Sequence, residues 1–91
     1  MKTFKLRISS PDGNIWEGES VMLTLRGIAG DLAVMAGHIP FVTSVKPCDC
    51  KIELEDGEEK IGHTDGGLLT VSSERVTLLS GSFKWKIGET Q

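Results

Sequence analysis

Cys48-Asp49-Cys50 sets two thiols one residue apart, and side chains two positions apart on a strand share a face. Thiolates hold zinc, and His38 and His63 could complete a tetrahedral set. The spacing opposes this reading. Structural zinc cysteines usually stand two to four residues apart, and these histidines have no ligand-like spacing. A disulfide between residues i and i+2 would be strained on an extended chain. The two cysteines are therefore read as small apolar fillers near a strand start, and no metal is expected. His63 and Asp65 could form an acid–base pair, but no serine or cysteine nucleophile has a recognisable setting around them. His63 is read as a solvated strand-end residue. Asp65-Gly66-Gly67 lacks the spacing of a phosphate-cradling loop and no helix follows it, so no nucleotide site is expected. Trp16, Phe83 and Trp85 could stack a sugar, but they are scattered along the chain and are read as core or edge packing. No pair of carboxylates is fixed by local sequence, as glycoside hydrolysis would need. No catalytic set can be assembled; the chain is expected to be noncatalytic and to use no cofactor.

One stretch remains, "GIAGDLAVMAGHIP", Gly27 to Pro40. It is too broken for a helix and too apolar for a free linker. Gly27 and Gly30 permit positive φ on either side of a turn, with "DLAVM" as a short strand. Gly37 permits a second tight turn. Pro40 fixes its own φ and pushes Ile39 toward an extended conformation. His38 is thus expected at a loop apex held by stiff neighbours. Solvation is the ordinary state of a loop histidine, while a loop of so defined a shape favours binding.

The elements that must carry these residues are strands. In "TFKLRIS", Phe4, Leu6 and Ile8 share one face and Lys5 and Arg7 the other. "CDCKIELE" alternates in the same way, and "SVMLTLR", "LLTVSS", "RVTLLS" and "FKWKI" are further candidates. "PDGN", "EDGEE" and "SSER" carry turn chemistry, and Asp56-Gly57 signals a hairpin. No segment of helical length shows a 3.6 period. Short strands with frequent turns predict an all-β sandwich or barrel. The 91 residues make one domain, expected over 1–85, with a polar tail over 86–91. A formal net charge of −3 argues against a nucleic-acid binder. No apolar run is long enough to span a membrane, and "MKTFKLRI" lacks a signal peptide's apolar block, so the chain is expected to stay in the cytoplasm.

"LRGIAGDLAVMAGHIPFVTSVKP" followed by "DGGLLTVSSERVTLL" resembles the N-terminal β-sandwich domain of the epsilon subunit of F-type ATP synthases, called delta in mitochondria. The family pattern is Gly-x-x-Gly, an acid, an apolar strand, Gly-His-x-Pro and Lys-Pro, then a Gly-Gly strand and a closing strand. Gly27, Gly30, Asp31, Gly37, His38, Pro40, Lys46, Pro47, Gly66, Gly67, Val71, Val76 and Leu79 stand at those places. "FKLRISSPDGNIWEGE" fits the opening strand, turn and second strand, so the resemblance covers about residues 3–80.

The resemblance implies a ten-stranded β-sandwich, or flattened barrel. It also implies a noncatalytic central-stalk rotor subunit that grips the gamma subunit and rests on the polar loops of the membrane c-ring. Carried over, Asp31 and His38 lie on the rim that meets the c-ring. Such a protein would be peripheral at the cytoplasmic face of a bacterial or archaeal plasma membrane and would couple proton or sodium flow to ATP synthesis. Cys48 stands where the family usually has glycine, and Ala36 replaces a common proline before Gly37. The family's C-terminal helical hairpin, which carries ATPase inhibition, finds no counterpart here, so a short form is expected. The alternative from the residues alone is a free-standing β-sandwich module that binds sugar or metal.

Overall fold

The alternation becomes ten strands in the computed structural model, which describes residues 2–86. They are β1 (Phe4–Ser10), β2 (Gly13–Ser20), β3 (Met22–Gly27), β4 (Gly30–Met35), β5 (Phe41–Val45), β6 (Cys48–Glu53), β7 (Glu59–Thr64), β8 (Gly67–Val71), β9 (Val76–Ser80) and β10 (Phe83–Trp85). The polar tail expected over 86–91 lies, Lys86 apart, outside the described residues. Alternation did not supply every strand: β2 came with the resemblance, β4 and β7 with their turns, and β5, "FVTSV", was not among the candidates at all.

The strands run β10-β7-β6-β3-β5-β8-β9-β1-β2, with β4 paired to β3. Among the described residues one thin seam joins the two halves of that order. β3 meets β5 at Gly27–Val45, helped by Ile28 N–H donating to the Ser44 carbonyl and Lys46 N–H to that of Arg26. The sheet therefore folds into two layers, β10-β7-β6-β3-β4 and β5-β8-β9-β1-β2. Leu23, Leu25, Val34, Cys50 and Ile52 face inward from the first layer. Leu6, Ile8, Val45, Leu69, Val71, Val76 and Leu78 face inward from the second. Each of these is buried, and burial of one such side chain is worth roughly 1.5–3 kcal/mol. The hydroxyls of Thr64 and Ser80 meet inside this core and satisfy each other.

Turn chemistry works as read. Leu54 N–H donates to the Glu58 carbonyl across the Asp56-Gly57 hairpin, and Ser72 Oγ accepts from the N–H groups of Glu74 and Arg75. Pairing of β1 with β9 is parallel, which no local pattern announces.

The ends of the sheet close by aromatic contact. Trp16 on β2 and Trp85 on β10 meet edge to face with centroids 6.4 Å apart, and Phe83 meets Trp85 at 5.1 Å. Phe83 lies so close across Gly62 that a side chain there would collide with its ring. The aromatics read as scattered are thus one cluster. Their rings stand at 83° and 84° to one another, which offers a sugar no flat platform.

Candidate docking rim

β4 is an edge strand, paired along its whole length with β3 and with no other strand among the described residues. Its two ends are the two motifs singled out in the sequence. At one end a two-residue loop, Ile28-Ala29, joins Gly27 to Gly30, which pair across the hairpin. Gly30 has the positive φ expected of it, at 129°. Gly27 does not; a Cβ there would lie 2.7 Å from Leu32 Cδ2, the end of a flexible side chain that would have to turn aside.

The same register puts Arg26 opposite Asp31 on the outer face. Arg26 Nε donates to Asp31 Oδ1 at 2.8 Å, and that hydrogen bond raises the guanidinium above its ordinary value. Asp31 is therefore a partnered carboxylate and not a bare charge. Sequence reading missed Arg26. The signal was available, since a hairpin closed by Gly27 and Gly30 places the flanking residues face to face.

At the other end Met35-Ala36-Gly37-His38 forms a turn closed by His38 N–H donating to the Met35 carbonyl at 3.2 Å. Gly37 sits third in it with φ 86°, the left-handed conformation a type II turn needs. The His38 ring leans on Phe41 with centroids 4.9 Å apart, and its Nδ1 lies 2.8 Å from the Ile39 carbonyl. His38 is exposed but leans on its neighbours in this way, and Ile39, the residue after the turn, is 77% exposed. A cleft of 460 Å3 opens beside it, lined by Lys5, Glu19, His38 and Arg75 among others.

Asp31 and His38 are not brought together. Four steps of extended strand set Asp31 about 14 Å from Met35, where the histidine turn begins. They mark the two ends of one exposed edge.

The other candidates separate as well. Cys48 and Cys50 lie on the inner side of β6, with Cys50 buried. Burial, then the neighbouring Cys48 sulfur, pushes the Cys50 thiol up to about 12, so it is no ready thiolate. Cys48 Sγ accepts from Arg26 N–H at 3.3 Å. Asp49 and His63 face outward and pair directly across β6 and β7 at 2.9 Å. His63 thus partners Asp49 and not Asp65, whose carboxylate accepts from Ser82 N–H instead. Lys86 Nζ takes the other oxygen of Asp49 at 2.8 Å. Among the described residues no three His, Cys, Asp or Glu side chains converge as metal ligands.

Known proteins share this architecture. The sequence profile of the family "ATP synthase, Delta/Epsilon chain, beta-sandwich domain" matches residues 3–86. A chain in the cryo-EM structure of the Euglena gracilis mitochondrial ATP synthase with its c-ring superimposes with a TM-score of 0.87 at 22% identity, over 96% of this chain and 57% of that one. A chain in the Tetrahymena thermophila mitochondrial ATP synthase central stalk and c-ring structure gives 0.73 at 12% identity, over 90% of this chain and 66% of that one. The chain thus spans somewhat over half to two thirds of the length of these two. Identities this low establish likeness of fold; the profile match, over nearly all the described residues, establishes kinship. By that match the chain belongs to the ATP synthase delta/epsilon-chain β-sandwich domain family.

Proposed function

We propose that this domain is a noncatalytic part of the central stalk of an ATP synthase. It links the gamma subunit to the c-ring, so that ion-driven rotation of the ring reaches the catalytic head. It sits peripherally at the membrane through that assembly, with residues 1–85 as the working unit. The observation that carries this reading is the free edge of β4, anchored at both ends by residues of the family motifs. Asp31, steadied by Arg26, and the exposed Ile39 next to His38 form a rim of fixed shape. Polar side chains held in place serve orientation in docking more than raw affinity. Support comes also from the two similar structures, which are of ATP synthases with their c-rings.

Purifying the tagged protein from its native membranes tests the proposal. Gamma and c subunits are expected to come down with it in fixed ratio. Recovery of neither, under detergent conditions that keep the rest of the enzyme together, refutes it.

A further inference from the structure

Three strands, β2, β4 and β10, have an edge that pairs with no other strand among the described residues. Two of them are guarded. β10 is three residues long and carries Lys84; β2 carries Glu17 and Glu19. Short length and charge both discourage pairing with another chain. β4 is six residues long and has neither lysine nor proline. Its one charge, Asp31, is tied to Arg26 of its own sheet.

The backbone of that edge is open. Arg26 turns its own backbone away from β4: its N–H donates to Cys48 Sγ and its carbonyl accepts from Lys46 N–H. Asp31, directly opposite, is therefore a non-hydrogen-bonded position, and its N–H and carbonyl point to the free edge. Strand alternation repeats this at Ala33 and Met35. Of these six groups only the Met35 carbonyl has a partner among the described residues, the N–H of His38.

We infer that the unassembled chain pairs with a second copy of itself along this edge, β4 antiparallel to β4, as a weak, reversible dimer whose first layers form one continuous sheet. The inference goes beyond the stalk reading and does not need it. Register selects the partner. Asp31, Ala33 and Met35 share the outer face, so the sheet continues only if they meet one another and not Leu32 or Val34. Antiparallel pairing centred on Ala33 does this: Ala33 meets Ala33 of the second copy on a twofold axis, and Asp31 meets its Met35. Open donors then find open acceptors. Ala33 N–H reaches the opposite Ala33 carbonyl and Met35 N–H the opposite Asp31 carbonyl, each twice by symmetry. The two Asp31 side chains stay about 14 Å apart along the strands, so like charges do not oppose each other. Beyond the strand, Ile28 of one copy, 65% exposed, comes alongside the Met35–Ile39 end of the other. Six residues of edge bury far less than the roughly 800 Å2 per partner of a stable interface, which makes the pairing weak. The same edge is the rim of the stalk reading, so pairing and docking on a ring exclude each other.

Sedimentation of the full chain over a range of concentrations tests the inference. The mass is expected to rise from one chain toward two between about 10 μM and 1 mM, the range of a small interface. Ala33→Pro removes the central N–H, which its own sheet does not use, and is expected to weaken association by about 10-fold or more. Ala33→Cys carries the test should the proline variant fail to fold. Opposed positions stand about 5.5 Å apart, within disulfide reach, so Ala33→Cys is expected to cross-link in oxidised glutathione well above the wild type. Asp31→Cys, about 14 Å from its own copy, is expected to add nothing. A monomer at every concentration, or equal cross-linking through positions 31 and 33, overturns the inference and leaves the stalk reading standing. A dimer undiminished by Ala33→Pro also overturns it, and loss of that dimer in Leu68→Lys would assign association to the β5-β8-β9 strip. Failure to recover gamma and c subunits from membranes refutes the stalk reading alone.

Discussion

The two outer faces of the sandwich are built from the same period of two and differ in what fills it. On β6, the outward residues are Asp49, Lys51 and Glu53, paired with His63, Ile61 and Glu59 on β7 and continued by Thr24 and Arg26 on β3. On β5, β8 and β9 they are valine, leucine, serine and threonine alone. Both faces cover one core, so the core does not account for the contrast. A charged face is stable in water and discourages edge-to-edge and face-to-face sticking. An uncharged one has that safeguard only when something covers it. The difference teaches that charge is spread unevenly over the outer surface: the β6-β7 face and the β1-β2 half of the second layer carry ion pairs, and the β5-β8-β9 strip between them carries none.

The largest effect available is to break the core under the uncharged face while sparing the face. Leu68 and Leu69 are neighbours on β8, one 39% exposed and the other fully buried. Leu69→Ala is expected to cost about 3 kcal/mol, the usual result of emptying a buried leucine site. Leu68→Ala is expected to cost less than about 0.5 kcal/mol in the isolated protein, as surface substitutions do. Urea unfolding measures both. Equal losses would show Leu68 to be part of the core and the outer face to be an extension of it.

How much of this was legible in the sequence differs between the faces for the same reason. Strands with a charged side announce themselves, because Lys5, Arg7, Asp49 and Lys51 interrupt apolar residues at every second position. β5 escaped because its outward Val42 and Ser44 give no such contrast with inward Phe41, Thr43 and Val45. The lack of charge on its outer side hides the strand. At the rim, the types and order of residues from Gly27 to Pro40 were informative. The pairs Arg26–Asp31 and Asp49–His63 were not read, since they follow from hairpin register and not from adjacency. The Trp16–Trp85 closure and the parallel β1–β9 pair join distant parts of the chain and are set only when the sheet folds on itself.

A smaller effect separates the β4 edge from the uncharged strip. Asp31→Lys places a cation beside Arg26 and removes the hydrogen bond that steadies it. It is expected to weaken ion-driven ATP synthesis by about two- to fivefold, the size of one exposed ionic contact. Both charges stand in solvent, so the melting temperature of the isolated chain should stay put. Unchanged synthesis in reconstituted vesicles would remove Asp31 from the rim and leave that role to the Ile39 end.

The smallest effect is a pH dependence expected on the β6-β7 face and not on the uncharged β5-β8-β9 strip. Asp49 is held below its ordinary value of 3.8, first by the hydrogen bond from Lys86 and then by that from His63. A carboxyl depressed in the folded state contributes stability above its unfolded pKa and loses it as pH falls through the folded one. Asp49→Asn is therefore expected to lower the melting temperature slightly at pH 7, and the gap to wild type should close as pH falls below about 3.8. Because these groups are exposed, salt near 1 M should shrink the gap as acid does. Substituting Leu68 with Thr, on the other face, should shift the melt by the same small amount at every pH, since no ionisable group lies in its rows. Melts of both variants from pH 7 to pH 2 decide it. A gap for Asp49→Asn that persists unchanged into acid would mean that its side chain is held by shape and not by charge, and the contrast between the faces would then be one of composition without electrostatic consequence.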